Sequence, residues 1–220
     1  MKLIYICRAR RRHFLCLLLL LGLGCSQPTS STSVTPATPV EQTALTAAAE
    51  APDKSPPVAT PMRLTDDAFR FAAYEGKLEV VRQAIEAGNN VNAADAERQL
   101  TPLHMAAFNG HAEVIQLLLA HGGQLDAKDV EGKTPLLHAC TGPFVEAVEL
   151  LIEAGADINT TESTEAFTPL MMAAGLGQTA VVKVLLAHHA EKDLLDDDGD
   201  SALKHAQNSR HAEIVELLKD

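Results

Sequence analysis

Histidines, a run of aspartates and a few cysteines are the residues of this chain with the chemistry to hold a metal or move a proton. Eight of its nine histidines lie in the C-terminal two thirds: His104, His111, His121, His138, His188, His189, His205 and His211. Only His188 and His189 are adjacent, and on a helix successive side chains point apart, so they do not make a zinc site. Asp196-Asp197-Asp198-Gly199-Asp200 has the composition of a calcium loop, but the last ligand position of such a loop falls on Gln207 where a bidentate acid is needed. Cys140 is the single cysteine beyond Cys25, so that part of the chain has no intramolecular disulfide framework. No Ser/His/Asp order, glycine-rich phosphate loop or paired-carboxylate signature stands out. The expectation is a protein that is not an enzyme and has no catalytic, metal or cofactor site.

The elements that carry these residues repeat. Thr101-Pro102-Leu103-His104-Met105-Ala106-Ala107 recurs as Thr134-Pro135-Leu136-Leu137-His138-Ala139-Cys140 and as Thr168-Pro169-Leu170-Met171-Met172-Ala173-Ala174. Worn copies begin at Asp67 and Ser201. The period of 33 to 34 residues is that of a repeat protein. In each copy the Thr caps a helix and the Pro suits its first turn, where a missing N–H costs nothing. Gly110 ends the first helix, residues 112–120 form a second, and Gly122 closes it. Residues 126–133, with Asp129 and Gly132, read as an extended turn to the next Thr-Pro. Neither helix can bury its apolar face alone, so stacked neighbours supply the core.

Motif and spacing together resemble the ankyrin repeat family, as does Gly155-Ala156-Asp157-Ile158-Asn159. The resemblance implies an all-α ankyrin-repeat solenoid over residues 63–220, with about five helix-turn-helix units near 66–99, 100–132, 133–166, 167–199 and 200–220. It makes His104 a structural group bonded to turn backbone, and Cys140, at the Ala107 position, a buried inert thiol. Units one and five read as polar caps carrying Arg70, Lys204, Gln207 and Asn208. His189 at the Gly122 position strains its turn, Pro143 at the Gly110 position bends or shortens a helix, and extra residues near 96–100 and 160–167 lengthen two turns.

In that family the turn tips and the outer side of the first helices line a concave groove. Projected here, the pattern selects Tyr74, Glu97, Arg98, Leu100, Phe108, Asn109, Glu131, Lys133, Phe167, Leu176, Asp197, Asp198 and Asp200 as the partner-binding groove, with Glu75, Val130, Thr141, Glu165 and Asn208 beside them. Tyr74, Phe108 and Phe167, with Leu100 and Leu176, are expected to form an apolar strip, since exposed aromatics anchor interfaces. The alternative is local packing against turn backbone.

The N-terminus reads as an address. Residues 2–12 are basic and residues 14–24 apolar, followed by Cys25 and Ser26, the layout of a secretory signal. Eleven apolar residues rise only ~16 Å as a helix, too short for a bilayer. Leu21-Gly22-Leu23-Gly24-Cys25 resembles a bacterial lipoprotein signal, which implies cleavage after residue 24 and lipidation of Cys25, although Gly22 stands where that family usually has Leu. Ser26 resembles the outer-membrane sorting pattern, so the implied location is the cell envelope, at the periplasmic face of the outer membrane. Arg11-Arg12 also resembles a twin-arginine motif, but the Leu run favours the general secretory route.

Residues 25–62, rich in Ser, Thr, Pro and Ala, read as a flexible tether with a mean span of ~35 Å. Beyond residue 24 the chain has 13 Lys+Arg against 29 Asp+Glu, a net charge of −16. Such a surface repels phosphate backbones, so nucleic acid is excluded as a partner. The functional expectation is a membrane-anchored, monomeric module that binds a protein partner through its groove. The alternative is an inhibitor or immunity-type protein that neutralises an envelope toxin or enzyme through its acidic residues.

Overall fold

A computed structural model describes residues 63–219. The signal, Cys25 and the tether lie outside the described residues. Ten helices follow one another without a strand among the described residues: α1 (Asp66–Tyr74), α2 (Leu78–Glu86), α3 (Pro102–Phe108), α4 (Ala112–Ala120), α5 (Pro135–Ala139), α6 (Val145–Glu153), α7 (Pro169–Leu176), α8 (Thr179–Ala187), α9 (Ala202–Ser209) and α10 (Ala212–Lys219). They pair into five helix-turn-helix units. The odd-numbered helices stack in series as an inner layer and the even-numbered ones as an outer layer.

Each inner helix starts where an extended residue offers its hydroxyl to the backbone. Thr65, Thr101, Thr134, Thr168 and Ser201 all accept from the N–H three residues on. Pro102, Pro135 and Pro169 follow at the first helical position. Outer helices carry no such side-chain cap at α2, α4, α6 and α8. Their starts are set by the tight turn before them and by burial of apolar faces such as Val114, Ile115 and Leu118, or Val181, Val182 and Leu185. Ala72, Ala73, Ala106, Ala107, Ala139, Ala173, Ala174 and Ala206 are buried between inner helices, where the small side chain permits close approach.

The irregular positions behave as their residue types dictate. Pro143 has no N–H to continue a helix, and α5 is cut to five residues. His189 stands in the left-handed region at φ +62°, where the equivalent Gly122 has φ +83°. Gln99 and Ala166 are left-handed at φ 58° in the two lengthened turns. Arg70, a polar residue of the first capping unit, is buried. Its Nη1 donates to the Ala93 carbonyl at 3.0 Å and its guanidinium pairs with Asp67. Lys204, Gln207 and Asn208 are exposed.

Buried Asn89 binds the chain where the stack begins. Its amide accepts from the Leu64 N–H at 3.1 Å and donates to the Leu64 carbonyl at 2.9 Å. Further along, Asn92, Asp126 and Asn159 each accept from a backbone N–H one unit ahead, at Gln124, Asp157 and Glu191. The Asn of the Gly-Ala-Asp-Ile-Asn segment is therefore a staple between units.

Candidate protein-binding groove

The four long connections end in tips of one design. In each, an acid turns its carboxylate back onto the following backbone: Asp95 accepts from Glu97, Arg98 and Leu100, Asp129 from Glu131 and Lys133, Glu162 from Thr164 and Glu165, and Asp196 from Asp198 and Asp200. Neighbouring tips are then joined through the backbone, by Val130 N–H to the Arg98 carbonyl (3.0 Å), Ser163 to Glu131 (2.8 Å) and Asp197 to Glu165 (3.1 Å). Asp196 is thus a structural anchor. No group of three or more His, Cys, Asp or Glu side chains is placed to hold a metal among the described residues.

Histidines tie two of these anchors to the inner helices. His138 Nε2–H donates to Asp129 Oδ2 and His205 Nε2–H to Asp196 Oδ2, each at 2.8 Å. Burial works against the Asp129 charge, but the hydrogen bonds from His138 and from the Lys133 and Glu131 N–H groups hold its carboxyl below the ordinary value. His104 is different. Its Nδ1 accepts from the Thr101 N–H at 3.1 Å and its Nε2–H donates to the Lys133 carbonyl at 3.1 Å, an arrangement only the neutral ring can make. Burial first, and His138 second, push its pKa down to about 4. Cys140 is fully buried, and burial pushes its thiol up, so the sulfur is inert.

In register on the inner helices stand Phe71, Met105, His138, Met172 and His205, and three residues further on Tyr74, Phe108, Thr141, Gly175 and Asn208. A spacing of three places both rows on one face. The rings of Phe71 and Tyr74 stack with centroids 6.2 Å apart, and those of Tyr74 and Phe108 at 6.3 Å, both at 19° between planes. His138 meets Phe108 edge-on at 6.0 Å. The result is an aromatic ladder across units one to three. Phe71 is 42% exposed, and Tyr74 and Phe108 are half-buried. Beside it lies a shallow depression of about 220 Å³, lined by Asp67, Arg70, Phe71, Asp95, Leu100 and Met105.

Three expected groove residues are turned to packing. Phe167 is only 8% exposed and lies edge-on to His205 at 4.8 Å, so it is no part of an exposed strip. Lys133 is buried, its backbone shared between Asp129 and His104 and its ammonium paired with Glu131. Asn109 spends its amide on the Tyr74 carbonyl at 2.8 Å, next to His111, which donates to the same oxygen. Glu97, Arg98, Leu176, Asp197 and Asp198 are exposed, while Leu100, Glu131 and Asp200 are partly so. Sequence reasoning passed over Phe71, although its register with Met105 marks it as an inner-face position. It also passed over the anchoring roles of Asp95, Glu162 and Asp196.

Stacked two-helix units with a ribbed inner face define a helical-repeat scaffold that works by surface contact. The family described as ankyrin repeats (3 copies) matches residues 69–162 and 146–220, and the chain belongs to the ankyrin repeat family. Its repeats mark it as a protein-interaction module on a typically non-catalytic scaffold. The chain is similar to the glycerophosphocholine phosphodiesterase GDE1 of Candida albicans, with 33% identity over 73 residues, covering 33% of this chain and 6% of that protein. So small a share of the larger protein carries no phosphodiester chemistry over to this one.

Proposed function

We propose that the chain captures a protein partner on the concave face of its repeats, from a lipid anchor at Cys25 in the cell envelope. The aromatic ladder Phe71–Tyr74–Phe108 carries this reading. Stacked rings left partly open on an inner face offer rigid apolar area at little entropic cost, as interface anchors do. The basic and apolar leader before Cys25 supports the location.

Site-specific photo-crosslinking in cells tests the contact. A benzophenone side chain at Phe71, 42% exposed on the inner α1, is compared with one at Val80, 39% exposed on the outer α2. A discrete crosslinked species at 71 and none at 80 is expected, and the reverse pattern overturns the reading. Labelling with a palmitate analogue, lost in Cys25→Ser, tests the anchor, and an unlabelled parent chain refutes it.

The exposed acids Asp197 and Asp198, with Asp200 beside them, favour a second reading, an inhibitor that covers a basic toxin or enzyme. In that case the captured partner loses its activity when bound, whereas simple positioning leaves it intact.

A further inference from the structure

The inner face changes character along the stack. Tyr74, Phe108, Thr141, Gly175 and Asn208 share one register, so two aromatic rings give way to positions with little bulk. A Cβ added at Gly175 would meet only the Cβ of His205, at 3.7 Å, so the backbone there lies bare and open. Half-buried Met172 and exposed Leu176 flank it with apolar surface.

Charge changes in the same direction. Between Lys133 and Lys183 the sequence has no Lys or Arg, and Lys133 is buried against Glu131. The backbone bonds from tip to tip pair Glu131 with Ser163 and Glu165 with Asp197, so Glu165 and Asp197 lie roughly one strand spacing (~5 Å) apart, with Glu131 on the tip before them. Arg98 lies at the first tip, beside the aromatic end, and exposed Lys204 on α9 marks the far end.

Building on the protein-capture reading, we infer that the groove takes an extended, basic segment of its partner. Aromatic or aliphatic side chains of that segment rest on Phe71, Tyr74 and Phe108. Its Lys or Arg stems lie over Gly175 against Met172 and Leu176, with their charged heads toward Glu165 and Asp197. Phe108 and Gly175 are two inner helices apart, ~20 Å at ordinary helix spacing, so the apolar and basic residues are separated by about six residues of extended chain.

Selection from a random-peptide display library on the immobilised full chain tests this. Enriched peptides are expected to pair an aromatic or aliphatic residue with Lys or Arg about six positions away. A synthetic winner should bind about tenfold more weakly to Glu165→Lys/Asp197→Lys, and salt should weaken it on the parent. Phe108→Ala should weaken it as well, with helical content unchanged in each variant. Enriched peptides without basic residues, or winners indifferent to the charge reversal, overturn the inference while leaving protein capture standing. No enrichment at all also overturns it, since the partner then docks by a folded surface. The crosslink at residue 71 separately decides whether capture itself survives.

Discussion

Acid should loosen this protein through His104, by an amount the structure sets. The ring is fully buried, and its Nδ1 accepts from the Thr101 N–H at the start of α3. Protonation would put two N–H groups face to face. The folded-state pKa is about 4, against 6.5 for the free side chain. Since the folded value is the lower one, the unfolded chain takes up the proton first. Stability is therefore complete above about pH 6.5 and is lost as pH falls toward 4. Linkage gives a loss of ~2 kcal/mol at about pH 5 and ~3 kcal/mol near pH 4.

The control is His104→Leu, because Leu137 fills the same place in unit three with the Thr134 cap intact. That variant leaves the Thr101 N–H without a partner, while the Lys133 carbonyl keeps the Asp129 N–H at 3.0 Å, at a cost of about 1–3 kcal/mol near neutrality. Urea unfolding at about pH 7 and pH 5 is then compared between the two proteins, at matching m so that the same transition is measured. The parent should lose ~2 kcal/mol more than the variant between the two conditions. The carboxyl of Asp129, held below its ordinary value, titrates beneath this window. Equal losses in parent and variant would refute the assignment.

Other consequences are local. His189→Gly relieves a left-handed non-glycine residue and should stabilise the fold by about 1 kcal/mol in urea or thermal unfolding. Gly122→Ala and Gly110→Ala separate backbone strain from clash: the first meets nothing within 4 Å and should cost ~1 kcal/mol, while the second drives its Cβ into the Phe144 ring and should cost distinctly more. Asp196→Ala frees two turn N–H groups and the His205 ring and should cost roughly 2–4 kcal/mol, whereas Asp197→Ala at the exposed neighbouring position should stay within ~0.5 kcal/mol, both read by urea unfolding. Cys140 should react with a thiol reagent no faster than the stack unfolds, so its labelling rate should follow denaturant.

Features set within a few residues were legible in the sequence. The Thr-Pro start of an inner helix is a hydroxyl and an N–H three positions apart, and it shows wherever those residues do. The shortened α5 and the left-handed His189 follow in the same way from Pro143 and from the missing glycine. What escaped depends on the neighbouring unit. Phe167 lies at a tip, as an exposed anchor would, but the His205 ring of the next inner helix covers it. Lys133 is buried because His104 of the preceding unit takes its carbonyl. Phe71 shares the Met105 register, but its exposure and its stacking on Tyr74 become visible only in the folded stack.

The acidic tips show why composition alone misassigns such a run. Within Asp196–Asp200 the first carboxylate faces inward and the next two stand exposed. The inward one is compensated by two backbone N–H groups and the His205 ring, so it adds no free charge to the surface. With its oxygens engaged in this way, it has little left to offer a cation. The same arrangement at Asp129, with His138 as the third donor, leaves Glu131 at the tip. Anchor and surface acid thus share a turn but not a role. The outward charge at Asp197 can therefore change without disturbing the backbone ladder that holds the tips together, which makes its reversal a test of binding and not of folding, while the half-buried Glu165 needs the helical-content control beside it.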